Sequence, residues 1–236
     1  MKNIDLQNRD CLDMLAGLED NSVDLIITDP PYGISYHNNR RKVKGKIKTE
    51  NGILNDTNNN DFLEKVINEC FRVLKDGRHF YWFGRFDALP EQIINIREAG
   101  FKLKNQLIWL KNNHGTGDLF YSYGSKHEVI IYGIKRTSQK VKPLLLQELN
   151  GTKRHTDILE FGKVSKKEMI HDHQKPVELI EFLIKKSSLE GETVVDPFAG
   201  SASTAIACKN LGRGFLGTEL DKEICESAQK RIDESK

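Results

Sequence analysis

Short apolar runs alternate with amphipathic stretches along most of the chain. Runs such as residues 23–27 are rich in β-branched side chains and stop at turn-forming residues, which is typical of buried strands. The amphipathic stretches repeat apolar residues at helical spacing, as at Leu63, Val66 and Ile67. The pattern predicts strands at 4–8, 23–27, 79–83, 101–110, 128–134, 193–195 and 214–218, and helices at 12–18, from 61 to a stop at Gly77, at 87–99, from 176 to a stop at Gly191, at 202–210 and from 221 onward. Strands that alternate with helices predict an α/β fold on a doubly wound, mostly parallel sheet of seven strands.

Two segments interrupt this alternation, residues 33–60 and 137–170. The first is long enough that we expect a functional, mobile loop. The second has no apolar face of its own, so we expect a small insertion within a single domain that spans residues 1–236.

Both segments are basic although the whole chain carries a net charge of only +2. Residues 33–60 hold six Lys or Arg against two acids, and residues 137–170 hold seven against four. Positive charge concentrated in irregular segments favours a polyanionic partner. The candidate contacts are Arg40, Arg41, Lys42, Lys44, Lys46, Lys48, Lys153 and Arg154.

Several classes of protein are disfavoured. The apolar runs are too short to cross a bilayer, and the residues after Met1 do not resemble a signal peptide. The four cysteines form no Cys-x-x-Cys pair, and no histidine cluster has metal-ligand spacing. We therefore expect a cytoplasmic protein with reduced thiols, no membrane partner and no metal site.

The strand at 23–27 ends at the motif Asp29-Pro30-Pro31-Tyr32. Proline cannot donate a hydrogen bond to a neighbouring strand, so the motif stops the sheet abruptly. A carboxylate, a carbonyl stiffened by the following proline and an aromatic ring then stand at the carboxyl end of a strand. In open α/β sheets, ligands bind at that edge.

A second strand, at 193–195, leads into the turn at residues 196–201 and then into a helix of small residues. Small turn residues let a ligand approach the backbone, and the helix N-terminus offers N–H groups. The turn has neither the dinucleotide fingerprint Gly-x-Gly-x-x-Gly nor a P-loop. Glu219 follows the next strand, where an acid typically binds ribose hydroxyls. An adenosine with a short charged tail suits such a site.

Three separated blocks resemble the S-adenosylmethionine-dependent amino-methyltransferases of DNA, which occur in prokaryotes and phages. Residues 29–32 look like the catalytic tetrapeptide, residues 196–201 like the cofactor loop, and residues 171–176 (His-Asp-His-Gln-Lys-Pro) like the block before that loop. A weaker match is His127-Glu128. The catalytic block precedes the cofactor block, which resembles the permuted β group of this family, and the resemblance extends over nearly the whole chain.

The resemblance implies a Rossmann-like methyltransferase sheet, S-adenosylmethionine as cofactor, and double-stranded DNA as substrate in a prokaryotic cell or phage-infected host. Segment 33–60 would clamp DNA phosphates, and segment 137–170 would recognise the target sequence. The implied catalytic residues are Asp29, Pro30, Pro31 and Tyr32. The implied cofactor-binding residues are Asp10, Cys11, Asp29, His173, Lys175, Asp196, Phe198, Ala199, Gly200, Ser201, Ser203, Thr204 and Glu219. The order of the blocks further implies that Asp10, Asp29, Gly200 and Glu219 meet along one edge of the sheet.

Two departures from the family pattern stand out. Ala202 occupies the place of a second glycine in the cofactor loop, and Asp172-His173 replaces the usual Pro-Thr. The resemblance also leaves open a homodimer and a cognate restriction endonuclease as partners.

The reaction itself has alternatives. In the resembled family, Asp at the first catalytic position goes mostly with the N6 amine of adenine and Ser mostly with the N4 amine of cytosine, so Asp29 favours adenine. Methylation at cytosine carbon 5 needs a cysteine nucleophile, which enzymes of that kind carry in a Pro-Cys dipeptide, and this chain has no Pro-Cys dipeptide. An RNA or protein amine methyltransferase and a non-catalytic DNA-binding relative are the alternatives from other classes.

Overall fold

The computed structural model describes residues 3–31, 60–114, 120, 121, 123–147, 154–164, 169 and 174–235. These residues form eight strands and six helices. The strands are β1 (Ile4–Gln7), β2 (Val23–Thr28), β3 (Leu74–Gly84), β4 (Lys102–Leu110), β5 (His127–Ile134), β6 (Ile158–Glu160), β7 (Thr193–Asp196) and β8 (Gly214–Thr218). The helices are α1 (Cys11–Ala16), α2 (Asn60–Val73), α3 (Leu89–Glu98), α4 (Val177–Ser187), α5 (Ser203–Asn210) and α6 (Lys222–Glu234).

The strands form one sheet in the order β1-β8-β7-β2-β3-β5-β4-β6. β5 is antiparallel to β3 and β4, and every other neighbouring pair is parallel. The mostly parallel α/β sheet predicted from the sequence is therefore confirmed.

Helices cover both faces of the sheet. Leu25 and Ile27 on β2 pack into a cluster formed with α4, α5 and α6, while Ile26 between them packs with α1, α2 and α3 on the opposite face. Successive side chains of a strand point to opposite faces, so a strand buried on both sides must be apolar throughout. That requirement explains the continuous apolar run that identified β2.

The prediction of seven strands was wrong by one. The additional strand, β6, lies within segment 137–170 and pairs with the outer side of β4, where Leu159 is opposite Trp109. Three residues are too few to show a period, so this strand depends on its neighbour for its hydrogen bonds. The beginning of the segment also lies on the domain, since the Leu144 N–H donates to the Gly77 carbonyl and the Gln147 N–H to that of Lys186.

Gly77 was predicted to end the second helix, and this was also wrong. α2 ends at Val73, and Gly77 lies inside β3 with φ of +80° where the register against β2 shifts. The helix end is stabilised instead by Lys135 of the segment after β5, whose Nζ donates to the carbonyls of Phe71 at 2.6 Å and Arg72 at 3.1 Å. Glycine suits this position because a positive φ strains residues with a Cβ, and a Cβ there would also lie 3.2 Å from the Lys142 carbonyl oxygen.

Candidate active site

Four adjacent parallel strands, β1, β8, β7 and β2, have their carboxyl ends at the same edge of the sheet. Asp10 follows β1, Glu219 follows β8, the loop at 197–202 follows β7, and Asp29 follows β2. The topology thus brings to one edge residues that lie up to 209 positions apart (10 to 219) in the sequence.

The Asp196 side chain joins the ends of two neighbouring strands of this edge, β7 and β2. It is 4% exposed, and its Oδ1 accepts hydrogen bonds from Thr28 Oγ1 at 2.9 Å and from the Phe198 N–H at 3.1 Å. Its Oδ2 accepts one from Thr204 Oγ1 at 2.7 Å. Burial raises the Asp196 pKa to about 6, although these three donors favour the ionised form. Asp196 therefore holds the ends of β2, β7 and α5 together.

The loop after β7 contains two residues with a left-handed backbone. Gly200 has φ of +51° and Ala202 has φ of +60°. The second is unfavourable for a residue with a Cβ, by about 1–2 kcal/mol. The loop is held from the other side by Arg231 of α6, whose Nη1 donates to the Ser201 carbonyl at 2.6 Å and to Ser203 Oγ at 3.2 Å.

Four charged side chains, beginning with Asp29, form a continuous chain of ion pairs. Lys175 Nζ contacts Asp29 Oδ2, and the same nitrogen lies 3.4 Å from Glu128 Oε2. Glu128 Oε1 in turn contacts Lys111 Nζ at 2.7 Å. The alternation of acid and base neutralises the cluster, which we call the charge chain.

Burial within the charge chain is extensive, since only 8% of the Lys111 side chain and 11% of the Lys175 side chain are exposed. Burial opposes ionisation of Glu128, but the ammonium groups of Lys175 and Lys111 outweigh it and hold the Glu128 pKa at about 2. For Lys175, burial favours the neutral form, but Asp29 and Glu128 outweigh it and raise the Lys175 pKa. Glu128 and Lys175 are therefore both ionised at neutral pH.

Comparison with known proteins shows the family to which the chain belongs. A sequence profile of the N6/N4 DNA methylase family matches residues 23–230, which include both strand-end motifs and the charge chain. The chain belongs to this DNA methylase family.

Relatives and solved structures support the assignment. Type II methyltransferase M.HpaI of Haemophilus parainfluenzae is 30% identical over 93% of this chain and 71% of its own. The M1.HpyAVI–SAM complex has 23% identity with a TM-score of 0.73, covering 97% of this chain and 98% of that one. The cytosine-N4-specific PvuII DNA methyltransferase has 17% identity with a TM-score of 0.73, covering 96% of this chain and 85% of that one. At these identities the two structures establish the shared fold.

The cofactor residues predicted for this DNA methylase lie in different surroundings. The Asp10 carboxylate caps α1 by accepting from the Leu12 N–H at 2.8 Å. Cys11 is buried in the core, which raises the pKa of its thiol to about 12. Glu219 is half-buried, and its carboxylate accepts hydrogen bonds from the backbone N–H groups of Asp221 and Gly200.

The other predicted residues divide into three groups. Ala199, Ser201, Ser203 and Thr204 are buried around the loop, and Phe198 is half-buried with its ring 6.2 Å from that of Phe62. Pro30 is buried, Pro31 is half-buried and Arg154 is exposed. Outside the described residues lie Tyr32, Arg40, Arg41, Lys42, Lys44, Lys46, Lys48, Lys153 and His173.

Sequence reasoning missed several residues of the edge. Arg231 carries no local signal, because a basic residue in an amphipathic helix is ordinary, and Lys111 follows its strand without a motif. The aromatic side chains of Phe120, Tyr121 and Tyr123, in the connection between β4 and β5, are more than 90% exposed. Their clustering in the sequence was a signal that could have been used, since exposed aromatic rings typically contact a partner.

The structure also bears on membrane-spanning helices and on metal sites, which the sequence disfavours. In the part of the chain that the structure describes, no helix is long and apolar enough to cross a membrane. Those same residues contain no group of three or more His, Cys, Asp and Glu side chains suited to a metal ion.

Proposed function

We propose that the chain transfers a methyl group from S-adenosylmethionine to the N6 amine of an adenine flipped out of duplex DNA. The observation that carries the proposal is the position of Asp29. It follows β2, adjacent to the loop after β7, and the ammonium of Lys175 holds it there. A carboxylate beside a nucleoside-type loop suits chemistry on an amine.

The loop fits the adenosine part of S-adenosylmethionine. A Cβ built on Gly200 meets no atom within 4 Å, so open space borders the backbone at this point. The half-buried Glu219 carboxylate lies beside the same residue, where ribose hydroxyls would donate to it. Residues 198–201 and Glu219 would hold the cofactor, with Asp10 at the neighbouring strand end near the adenine amine.

An exocyclic amine is a poor nucleophile because its lone pair is delocalised into the ring. In our proposal the Asp29 carboxylate and the Pro30 carbonyl accept the two N–H hydrogens, which localises the lone pair on the nitrogen. A carboxylate can accept about four hydrogen bonds, so pairing with Lys175 is compatible with this role. S-adenosylmethionine, when bound, supplies an electrophilic methyl group on sulfur.

Direct transfer needs no nucleophile from the protein. All four cysteines lie in the described part of the chain and are buried. Burial raises the pKa of each thiol, which keeps it protonated and unreactive. This distribution supports methylation of an amine and disfavours methylation of a ring carbon.

The DNA would lie across this edge. A base cannot be reached inside the duplex, and flipping it costs a few kcal/mol. Tyr32 would stack on the flipped base, and the exposed rings of Phe120, Tyr121 and Tyr123 would stack on neighbouring bases, at about 1–3 kcal/mol per base. The basic segments would contact phosphates.

Further partners belong to the same proposal. The name of M.HpaI, a type II methyltransferase, supports a cognate restriction endonuclease. The short recognition segment supports a homodimer in which two copies share one DNA site.

The proposal predicts which base is modified. With labelled S-adenosylmethionine, duplex DNA of mixed sequence is expected to accept label, whereas RNA and protein accept none, and nucleoside analysis is expected to give N6-methyladenine. A duplex of G·C pairs alone is the control and should remain unlabelled. N4-methylcytosine would replace the adenine proposal with its alternative. Label on RNA or protein only, or binding without turnover, would contradict the proposal as a whole.

The clamp on the cofactor loop predicts a second result. Arg231→Met removes the two hydrogen bonds that the guanidinium donates to Ser201 and Ser203. A hydrogen bond to a charged group contributes about 1.5–3 kcal/mol to stability. We expect S-adenosylmethionine to bind about tenfold more weakly, measured by calorimetry. Lys230→Met, at the exposed neighbouring position, is the matched control. An unchanged dissociation constant in a folded Arg231→Met protein would show that the clamp does not support the loop.

A further inference from the structure

Lys175 was predicted to bind the cofactor, but its side chain lies between two carboxylates. Its Nζ contacts Asp29 on one side and Glu128, at 3.4 Å, on the other. The same nitrogen lies 5.1 Å from the centre of the Phe83 ring, which is buried on β3. Three elements of the sheet edge, the ends of β2 and β3 and the start of β5, thus surround one ammonium group.

Both ends of Lys175 are held. At the side-chain end, Glu128 is fixed by Lys111, whose Nζ lies 2.7 Å from Glu128 Oε1. At the backbone end, the Lys175 carbonyl accepts a hydrogen bond from Ser203 Oγ at 2.7 Å. Ser203 begins α5, and Arg231 binds it together with the cofactor loop. Lys175 therefore connects Asp29, through its side chain, to Ser203 beside the cofactor loop, through its backbone carbonyl.

The ammonium of Lys175 separates two negative charges. Asp29 and Glu128 approach the same point, and without a cation between them two carboxylates would repel each other in a partly buried place. The pair would then separate, or one of the acids would take up a proton. Either change would alter the orientation or the charge of Asp29.

We infer that Lys175 is a positioning residue for Asp29: the Lys175–Glu128–Lys111 part of the charge chain fixes the orientation and the negative charge of the carboxylate that receives the target amine. This inference rests on the proposed function, because it needs Asp29 to contact the amine. In this role Lys175 affects turnover and does not contact S-adenosylmethionine.

The test separates turnover from cofactor binding. Lys175→Met keeps the length of the side chain and removes its charge. We expect kcat to fall about 100-fold, since a misplacement of about 1 Å costs that much, while the dissociation constant for S-adenosylmethionine changes less than threefold. Lys175→Arg should recover part of kcat because it restores a cation. Lys185→Met, at a more exposed lysine of α4, is the matched control and should behave as wild type.

The pH profile gives a readout that a purely structural role would not change. Asp29 is faced by Lys175 from the segment before α4, and by Asp196 from β7, while Glu128 from β5 and Lys111 after β4 complete the charges nearby. Replacing Lys175 removes a positive charge in contact with Asp29, so the acidic limb of kcat against pH should move to higher pH. If Lys175→Met does not fold, Glu128→Gln provides the test, with an expected tenfold loss of kcat and unchanged cofactor binding.

Each outcome distinguishes the inference from the function on which it rests. A wild-type kcat in Lys175→Met, or a loss that appears only as weaker cofactor binding, would overturn the positioning role and leave the proposed function standing. Normal turnover in Asp29→Asn would overturn the role of Asp29 first, and the inference with it. A low kcat with normal cofactor binding and a shifted pH profile would support the inference.

Discussion

Asp29→Asn is expected to lower kcat for DNA methylation by at least 10²–10³-fold, the loss observed when one group that stabilises a transition state is removed. The amide retains the size of the carboxylate but has no negative charge, and its NH₂ group can point a donor at the hydrogens of the target amine. S-adenosylmethionine and DNA should still bind within about threefold of wild type, because the cofactor loop and the basic segments are unchanged. Single-turnover methylation with saturating cofactor and DNA measures the effect on the chemical step.

Two controls make this result specific to the site. Asp87→Asn removes a carboxylate that pairs with Arg85 at the surface, so it should leave kcat unchanged. Thermal unfolding of Asp29→Asn must also be followed, because Lys175 loses a partner and a broken buried ion pair destabilises by about 3–5 kcal/mol. A folded Asp29→Asn protein that binds DNA and turns over at the wild-type rate would refute the assigned role.

The two strand ends of the site were predictable because their signals are local. Asp29 and Asp196 each follow an apolar run, and each is followed at once by proline, so a window of about ten residues contains the whole pattern. Their proximity follows from a rule of topology, since parallel strands end at one edge. The pattern did not predict what the Asp196 carboxylate does. It accepts hydrogen bonds from the hydroxyl groups of Thr28 and Thr204.

The features that the sequence did not reveal come from long-range contacts. The Lys175–Asp29 pair joins residues 146 positions apart, and no periodicity encodes which carboxylate a lysine will meet. β6 exists because the outer side of β4 offers it hydrogen bonds, and Gly77 lies in a strand because Lys135, 58 positions later, already completes the end of α2. Such features depend on the assembled sheet, so local sequence cannot reveal them.

Asp196 should make the stability of the protein depend on pH in a direction unusual for an aspartate. Its pKa is raised from 3.8 to about 6 by burial, so the folded state holds a proton that the unfolded state has released between those values. Stability from this group is therefore present at low pH and lost as the pH rises through 6. Relative to Asp196→Asn, wild type should lose about 2 kcal/mol of unfolding free energy between pH 4 and pH 7.

The comparison with Asp196→Asn is needed because His79 acts in the opposite direction. Its ring is buried between Ser187 and the Leu144 carbonyl, and burial lowers the His79 pKa from 6.5 to about 4. That histidine adds stability as the pH rises over the same interval, which would mask the effect of Asp196 in wild type alone. Both proteins contain His79, so urea unfolding at pH 4, 5.5 and 7 and subtraction of the two curves isolate the aspartate. Asp157→Asn, at an exposed position, is the matched control for the substitution itself. A pH-independent difference between wild type and Asp196→Asn would contradict this prediction, because the three donors around the carboxylate would then fully compensate its burial and leave the Asp196 pKa at its ordinary value.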